Sequence, residues 1–352
     1  MSIKKFFIIL IALSMLIFSG CSSTDAISEN NSPDIVVKGL TLKVSLIQTV
    51  YEMYNVNVSN PNKFSESYYK NSSRSDYKHY KWLVKTYESM DNEMKKILNN
   101  LFLSRDSWDY INSVINLDDD CSVEDIINKI NSDNSLNLPD FLKKDLDKFL
   151  NYFYSEYFED YINKKDNFYE KKAHELNKKL SINDVNALKF VEKVSGVTFD
   201  KNYKSLMYYS FNPVETHSFE YDNFMISTIS PNSTILDVVS LPFYKYSRPL
   251  FKTLSTNEDF LVLSKQLQKN QSFVNMYKDL YTTSYPFEDW CLENLISGFA
   301  KYLDYRYYGS TYEHSNYVYD LKFYNYLKDI NFNPNKTSLE EVSLDFYKSI
   351  LD

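Results

Sequence analysis

Glycine is scarce in this chain: five in 352 residues, at Gly20, Gly39, Gly196, Gly298 and Gly309. That spacing excludes the glycine-rich phosphate cradle, the dinucleotide fingerprint and the Gly-x-Ser-x-Gly nucleophile elbow. Cysteine is scarcer, with only Cys21, Cys121 and Cys291 and no Cys-x-x-Cys pair, so a cysteine-built metal cluster is excluded. Cys121 and Cys291 can be read either as one disulfide or as two buried thiols. Histidine occurs four times, at His79, His174, His217 and His314, and completes no metal motif. His174-Glu175-Leu176-Asn177-Lys178 opens like the zinc helix His-Glu-x-x-His, but Lys178 puts an ammonium where the second imidazole belongs, so the segment reads as helix surface. Positive charge is outnumbered, with 39 basic against 47 acidic residues and a net charge of −8, and nucleic acid is not an expected partner.

The N-terminus carries an address. Lys4 and Lys5 precede an apolar run from Phe6 to Phe18, broken only by Ser14, and Ser19-Gly20-Cys21 follows at once. The run is too short to cross a bilayer, which takes about 20 apolar residues, and reads as the core of an export signal over 1–20. Cys21 sits as in a bacterial lipobox, where the cysteine is acylated, although Phe18 stands where that motif usually has Leu, Val or Ile. Residues 21–38 are read as the lipidated cysteine and a polar tether. The implied location is extracytoplasmic, with the membrane reached through the lipid on Cys21. The Lys, Asn, Ile and Tyr bias matches AT-rich coding and points to the outer face of a low-GC Gram-positive cell.

From Leu40 onward the apolar residues recur at helical spacing, as in Val44, Ile47, Tyr51 and Tyr54. Four serines followed by an acid three residues later mark helix starts: Ser122, Ser181, Ser255 and Ser338. After Pro139 a stripe runs through Leu142, Leu146, Phe149, Phe153, Tyr157 and Tyr161; it reads as core, with an aromatic platform for sugars or wall peptides as the sharper alternative. Two β-like stretches, Lys204 to Phe211 and Asp222 to Ile229, predict a small sheet. The expected fold is therefore α+β and predominantly α-helical: a single domain over 39–352, with possible lobes 39–180 and 181–352.

Two groups of residues carry candidate chemistry. Glu215, His217 and Glu220 cluster near the end of a strand and could hold a metal, or form a solvated turn. The second group lies in Ile235-Leu-Asp-Val-Val-Ser-Leu-Pro-Phe-Tyr-Lys-Tyr-Ser-Arg-Pro-Leu250 and in Glu293-Asn-Leu-Ile-Ser-Gly298. These segments resemble a family of bacterial proteins with gluzincin-like metallopeptidase motifs. In that family two apolar residues precede His-Glu-x-x-His, an aromatic residue and Asn-Pro-Leu follow, and a second helix supplies a glutamate as third zinc ligand.

Val238-Val239, Tyr246 and Pro249-Leu250 fit that frame. Ser240 and Tyr244 fall on the two zinc histidines, Leu241 on the catalytic glutamate, and Glu293 on the third ligand. The resemblance thus implies a gluzincin-like helical body, with a small sheet before the active-site helix and a degenerate zinc site. Serine and neutral tyrosine are poor zinc ligands, and leucine cannot take a proton from water. Pro242 should start or kink a helix rather than lie within one. The expectation is an inactive metallopeptidase-like protein that binds a peptide, a protein or a wall component without catalytic residues or cofactor. The alternatives are an active metal-dependent peptidase with zinc on His217, Glu220 and Glu293, and a binding lipoprotein of unrelated helical fold. Glu293 also has a plainer reading, an ion pair with Arg248 or Arg306.

Overall fold

The computed structural model describes residues 34–199, 202–211, 218–280 and 286–351. The export segment, Cys21 and its tether up to residue 33, Glu215 and His217 lie outside the described residues. The chain opens with strand β1 (Ile35–Lys38) and helices α1 (Leu42–Tyr54), α2 (Glu66–Ser72), α3 (Arg74–Ser89) and α4 (Asn92–Phe102). Helices α5 (Ser107–Val114), α6 (Val123–Ser132), α7 (Asp140–Phe153), α8 (Glu159–Ile182) and α9 (Ala187–Ser195) follow. Strands β2 (Lys204–Tyr209), β3 (Ser218–Tyr221) and β4 (Phe224–Ile229) then lead into α10 (Ile235–Leu250), α11 (Glu258–Leu267) and α12 (Gln271–Leu280). The last helices are α13 (Phe287–Tyr308), α14 (Asp320–Asp329) and α15 (Leu339–Leu351). The fold is α+β and predominantly helical, as expected.

The sheet order is β1-β2-β4-β3, with β1 and β2 parallel, β2 and β4 parallel, and β3 antiparallel to β4. Strand β1 corrects the tether reading, because Ile35 to Lys38 belong to the sheet and pair with Ser205 to Tyr208. Only pairing with a distant partner makes a strand of so short a segment, and its free edge is closed from the side. Asn177 on α8 accepts from the Val37 N–H at 2.9 Å and donates to the Val37 carbonyl at 2.7 Å. One amide side chain thus stands in for a neighbouring strand at Val37 and satisfies both of its edge groups, of the kind that invite aggregation when unpaired. Asp34, just before β1, is buried and accepts from the backbone N–H groups of Ala187 and Leu188, both at 2.8 Å. A carboxyl at the first turn of α9 satisfies orphan donors and meets the positive end of the helix, although burial outweighs these bonds and holds it above the usual carboxylate range.

The helix starts follow the capping rule only in part. Ser122 and Ser338 each bond the N–H three residues on, and the acid there bonds back. Ser181 instead lies inside α8, which runs to Ile182, and Asn257 rather than Ser255 caps α11. Thr234 and Asp237 form a further box and fix the start of α10. That helix contains both Pro242 and Pro249, so of the two expectations for Pro242, starting or kinking a helix, the first is corrected. The capped start and the fully buried Val238, Val239, Phe243 and Tyr246 hold the helix through the missing hydrogen bond.

The stripe after Pro139 is core over its first four residues. A π-helical turn at Tyr154–Phe158 then shifts its phase, taking Phe158 inside and leaving Tyr157 and Tyr161 half-buried. Many tyrosines are fully buried with their hydroxyls bonded. Tyr110 donates to the Leu101 carbonyl at 2.8 Å and Tyr347 to the Cys291 carbonyl at 2.6 Å. Each such bond contributes about 1 kcal/mol net and, more to the point, avoids the larger cost of a buried unpaired hydroxyl. Cys121 and Cys291 are free thiols.

Candidate functional site

Helices α10 and α13 pack against each other and bring the two candidate segments together. Positions 240, 244 and 248 lie one turn apart on one face of α10. From that face the Tyr244 hydroxyl donates to Glu293 Oε2 at 2.5 Å, and the Arg248 guanidinium meets Glu293 Oε1 at 2.5 Å. Arg248 also donates to the Tyr244 oxygen at 3.3 Å. Both oxygens of Glu293 are therefore engaged, and the residue is buried at 7% exposure. The plainer reading of Glu293 as an ion pair with Arg248 describes this contact, while Arg306 donates to Tyr302 instead. Burial and then the Glu293 charge push the Tyr244 hydroxyl up to about 12, so at neutral pH it is a donor and not a phenolate ligand.

Ser240 points elsewhere. Its hydroxyl donates to Asp304 Oδ1 at 2.5 Å, and Tyr312 donates to Asp304 Oδ2 at 2.5 Å. Burial raises the Asp304 carboxyl, against the pull of those two bonds. Leu241 is half-buried beside them. Ser240 and Tyr244, which the resemblance would set on one metal centre, thus serve two different carboxylates.

Two cavities flank this arrangement. The larger, of about 820 Å³, is lined by Glu220, Lys245, Arg248, Asp289 and Glu293 over an apolar floor that includes Phe219, Phe251 and Leu292. The smaller, of about 350 Å³, is lined by Ser240, Leu241, Tyr244, Lys301 and Asp304. Tyr244 belongs to one and Glu293 to the other, so the hydrogen bond between them is the partition.

A Cβ at Gly298 would stand 2.6 Å from the Asp320 carbonyl oxygen and 3.0 Å from Phe323. The close approach of α14 holds a buried ion pair, with Lys301 Nζ 2.7 Å from Asp320 Oδ2. His174, Glu175 and Lys178 are exposed on α8, in keeping with a helix-surface reading.

Of the alternative metal set, Glu220 and Glu293 line the larger cavity and His217 lies outside the described residues. Among the described residues no three His, Cys, Asp or Glu side chains cluster to hold a metal, and no helix is long and apolar enough to cross a membrane.

Sequence reasoning missed a second polar cluster. Lys165 donates to the Tyr161 hydroxyl at 2.7 Å, and Tyr161 lies 2.6 Å from His79 Nδ1. His79 Nε2 in turn lies 2.9 Å from Glu52 Oε2, and Tyr69 donates to Glu52 Oε1 at 2.7 Å. Glu52 accepts from the Nε2–H, so Nδ1 accepts from Tyr161 and the bonds run in one direction. Nothing in the spacing of these residues announces it.

Comparison with known proteins returns no match: no family model, no curated protein and no solved structure is similar to this chain.

Proposed function

We propose that this is a lipid-anchored extracytoplasmic protein whose peptidase-like helix pair binds a ligand and does no chemistry on it. The observation that carries this reading is the state of Glu293. An ion pair from Arg248 and a hydrogen bond from Tyr244 occupy both its oxygens beside a cavity of about 820 Å³. A divalent ion would have to displace a guanidinium to reach that carboxylate. It would then find a serine bound elsewhere and a protonated phenol in place of imidazoles. A leucine stands where water would need its base. The cavity keeps the size and the mixed apolar and charged lining of a binding site.

A second reading keeps one observation in its favour, since Glu220 and Glu293 line the same cavity and His217 is only three residues from Glu220. Elemental mass spectrometry on the purified protein, before and after zinc reconstitution, separates the two. Zinc well below one equivalent, together with no cleavage of a mixed peptide library, is expected. Zinc near one equivalent that falls in Glu293→Gln would overturn the binding-only reading. The anchor is tested separately by Cys21→Ser, which should move the protein from the membrane fraction to the soluble fraction and abolish labelling by a fatty-acid analogue.

A further inference from the structure

The larger cavity contains a charge that the contacts around Glu293 do not use. Lys245, Arg248 and Lys252 follow at three- and four-residue spacing along α10 and the turn after it, and all three line the cavity. Arg248 is committed to Glu293. Lys245 is half-buried and, among the described residues, makes no ion pair or hydrogen bond, the Glu293 charge acting on it only through space. Its ammonium lies 5.3 Å from the Tyr244 ring centre, a weak substitute for a counter-ion. Burial, and after it the neighbouring Arg248 charge, press Lys245 down to about 8. At neutral pH it therefore remains mostly protonated while half-desolvated and unpaired, a costly state that an incoming anion relieves.

The rest of the lining narrows the anion. Glu220, Asp289 and Glu293 stand in the same cavity, so a second negative charge on the ligand would be repelled. The floor of Phe219, Phe251, Leu292 and Ile296 offers apolar surface to the remainder of the molecule. We propose that this cavity binds a monocarboxylate with an apolar body, its carboxylate on Lys245 and its body on that floor. The proposal rests on the reading of the α10 and α13 pair as a binding site, and adds the class of ligand.

The test titrates 3-phenylpropionate, its neutral amide and inorganic phosphate calorimetrically into the full-length protein. At pH 7 the acid should bind about tenfold tighter than the amide, as a charge-assisted hydrogen bond in a half-buried site allows. Binding a carboxylate favours the charged lysine, so complex formation near pH 8 should take up protons. The preference for the acid should fade as the pH rises from 7 to 9.5. Lys245→Met should remove the preference and Lys245→Arg should keep it. Equal binding of acid and amide, no binding of either, phosphate binding as tight as the acid, or a preference that survives in Lys245→Met would each overturn the proposal. The pH series on the unaltered chain decides the matter even if Lys245→Met does not fold. Zinc content measured on the same samples reports on the binding-only reading independently, because it does not enter the ratio of acid to amide.

Discussion

Among the polar clusters withdrawn from water in the described residues, two are closed to different degrees. Around His79, the side chains of Glu52, Tyr69, Tyr161 and Lys165 each meet another member of the group. Trp82 stacks on Tyr161 at 3.8 Å between ring centres and Phe211 stacks on His79 at 5.3 Å, closing the cluster with aromatic surface. Around Glu293 the bonds are as short, but the group borders two cavities and leaves Lys245 unmatched. A satisfied network has no capacity left for a ligand and fixes one arrangement of the helices that carry it. An unsatisfied one keeps that capacity, which is why His79, the only buried histidine among the described residues, is the poorer candidate for function.

The contrast can be broken by substitution. His79→Ala should cost the most, about 3 kcal/mol or more in urea unfolding, because it strips a partner from a buried carboxylate and empties space beneath Phe211. It should leave the acid-to-amide ratio at the larger cavity unchanged; a variant that loses that ratio while still folded would deny that the two regions are independent. Gly298→Ala should follow at roughly 1–3 kcal/mol, since the new methyl meets the Asp320 carbonyl and α14 must move away. Arg248→Ala should cost only about 1 kcal/mol by the same measurement, because its side chain is half exposed and Tyr244 still serves Glu293.

The smallest effect is a slope. Burial presses Lys165 down to about 8, so in the unfolded chain it holds its proton to higher pH than in the folded one. Stability should accordingly rise with pH between 8 and about 10, where the unfolded state binds more protons. Lys165→Met should flatten that rise relative to the parent chain when urea midpoints are compared at pH 7.5 and 9.5. An unchanged slope would mean that Lys165 is not held in the interior as described.

What could be read ahead of the structure divides along a physical line. Local signals survived: the β-like run at Lys204 became β2, Pro139 opened α7, and Ser122 and Ser338 cap their helices. Signals that depend on distant partners did not. Strand β1 is only four residues long, and only pairing with β2 makes it a strand. Strand β3, Ser218–Tyr221, is equally short and owes its form to β4. Ser181 looked like a cap because its neighbours have the right chemistry, yet α8 continues past it. At the site, Arg248 is one of the two partners expected for Glu293, and the hydrogen bond from Tyr244 is an addition that the sequence did not announce. Lys245 could not be singled out, because its distinguishing property is the lack of a partner and a linear sequence does not show what a side chain fails to touch. The one available hint was three cations at helical spacing in an acidic chain.

Strand β1 also sets an order of events. Its pairing with β2 joins Ile35 to Ser205, with α1 to α9 all lying in the intervening loop, and its other edge is sealed by Asn177 on α8. Closing so long a loop loses chain entropy that nearby helix pairs, such as α2 with α3, do not lose. The helices should therefore assemble first and the parallel pairing should close late. In kinetic terms, substitutions at Val37 or Asn177 should speed unfolding and leave the folding rate nearly unchanged, while substitutions among the helix contacts should slow folding.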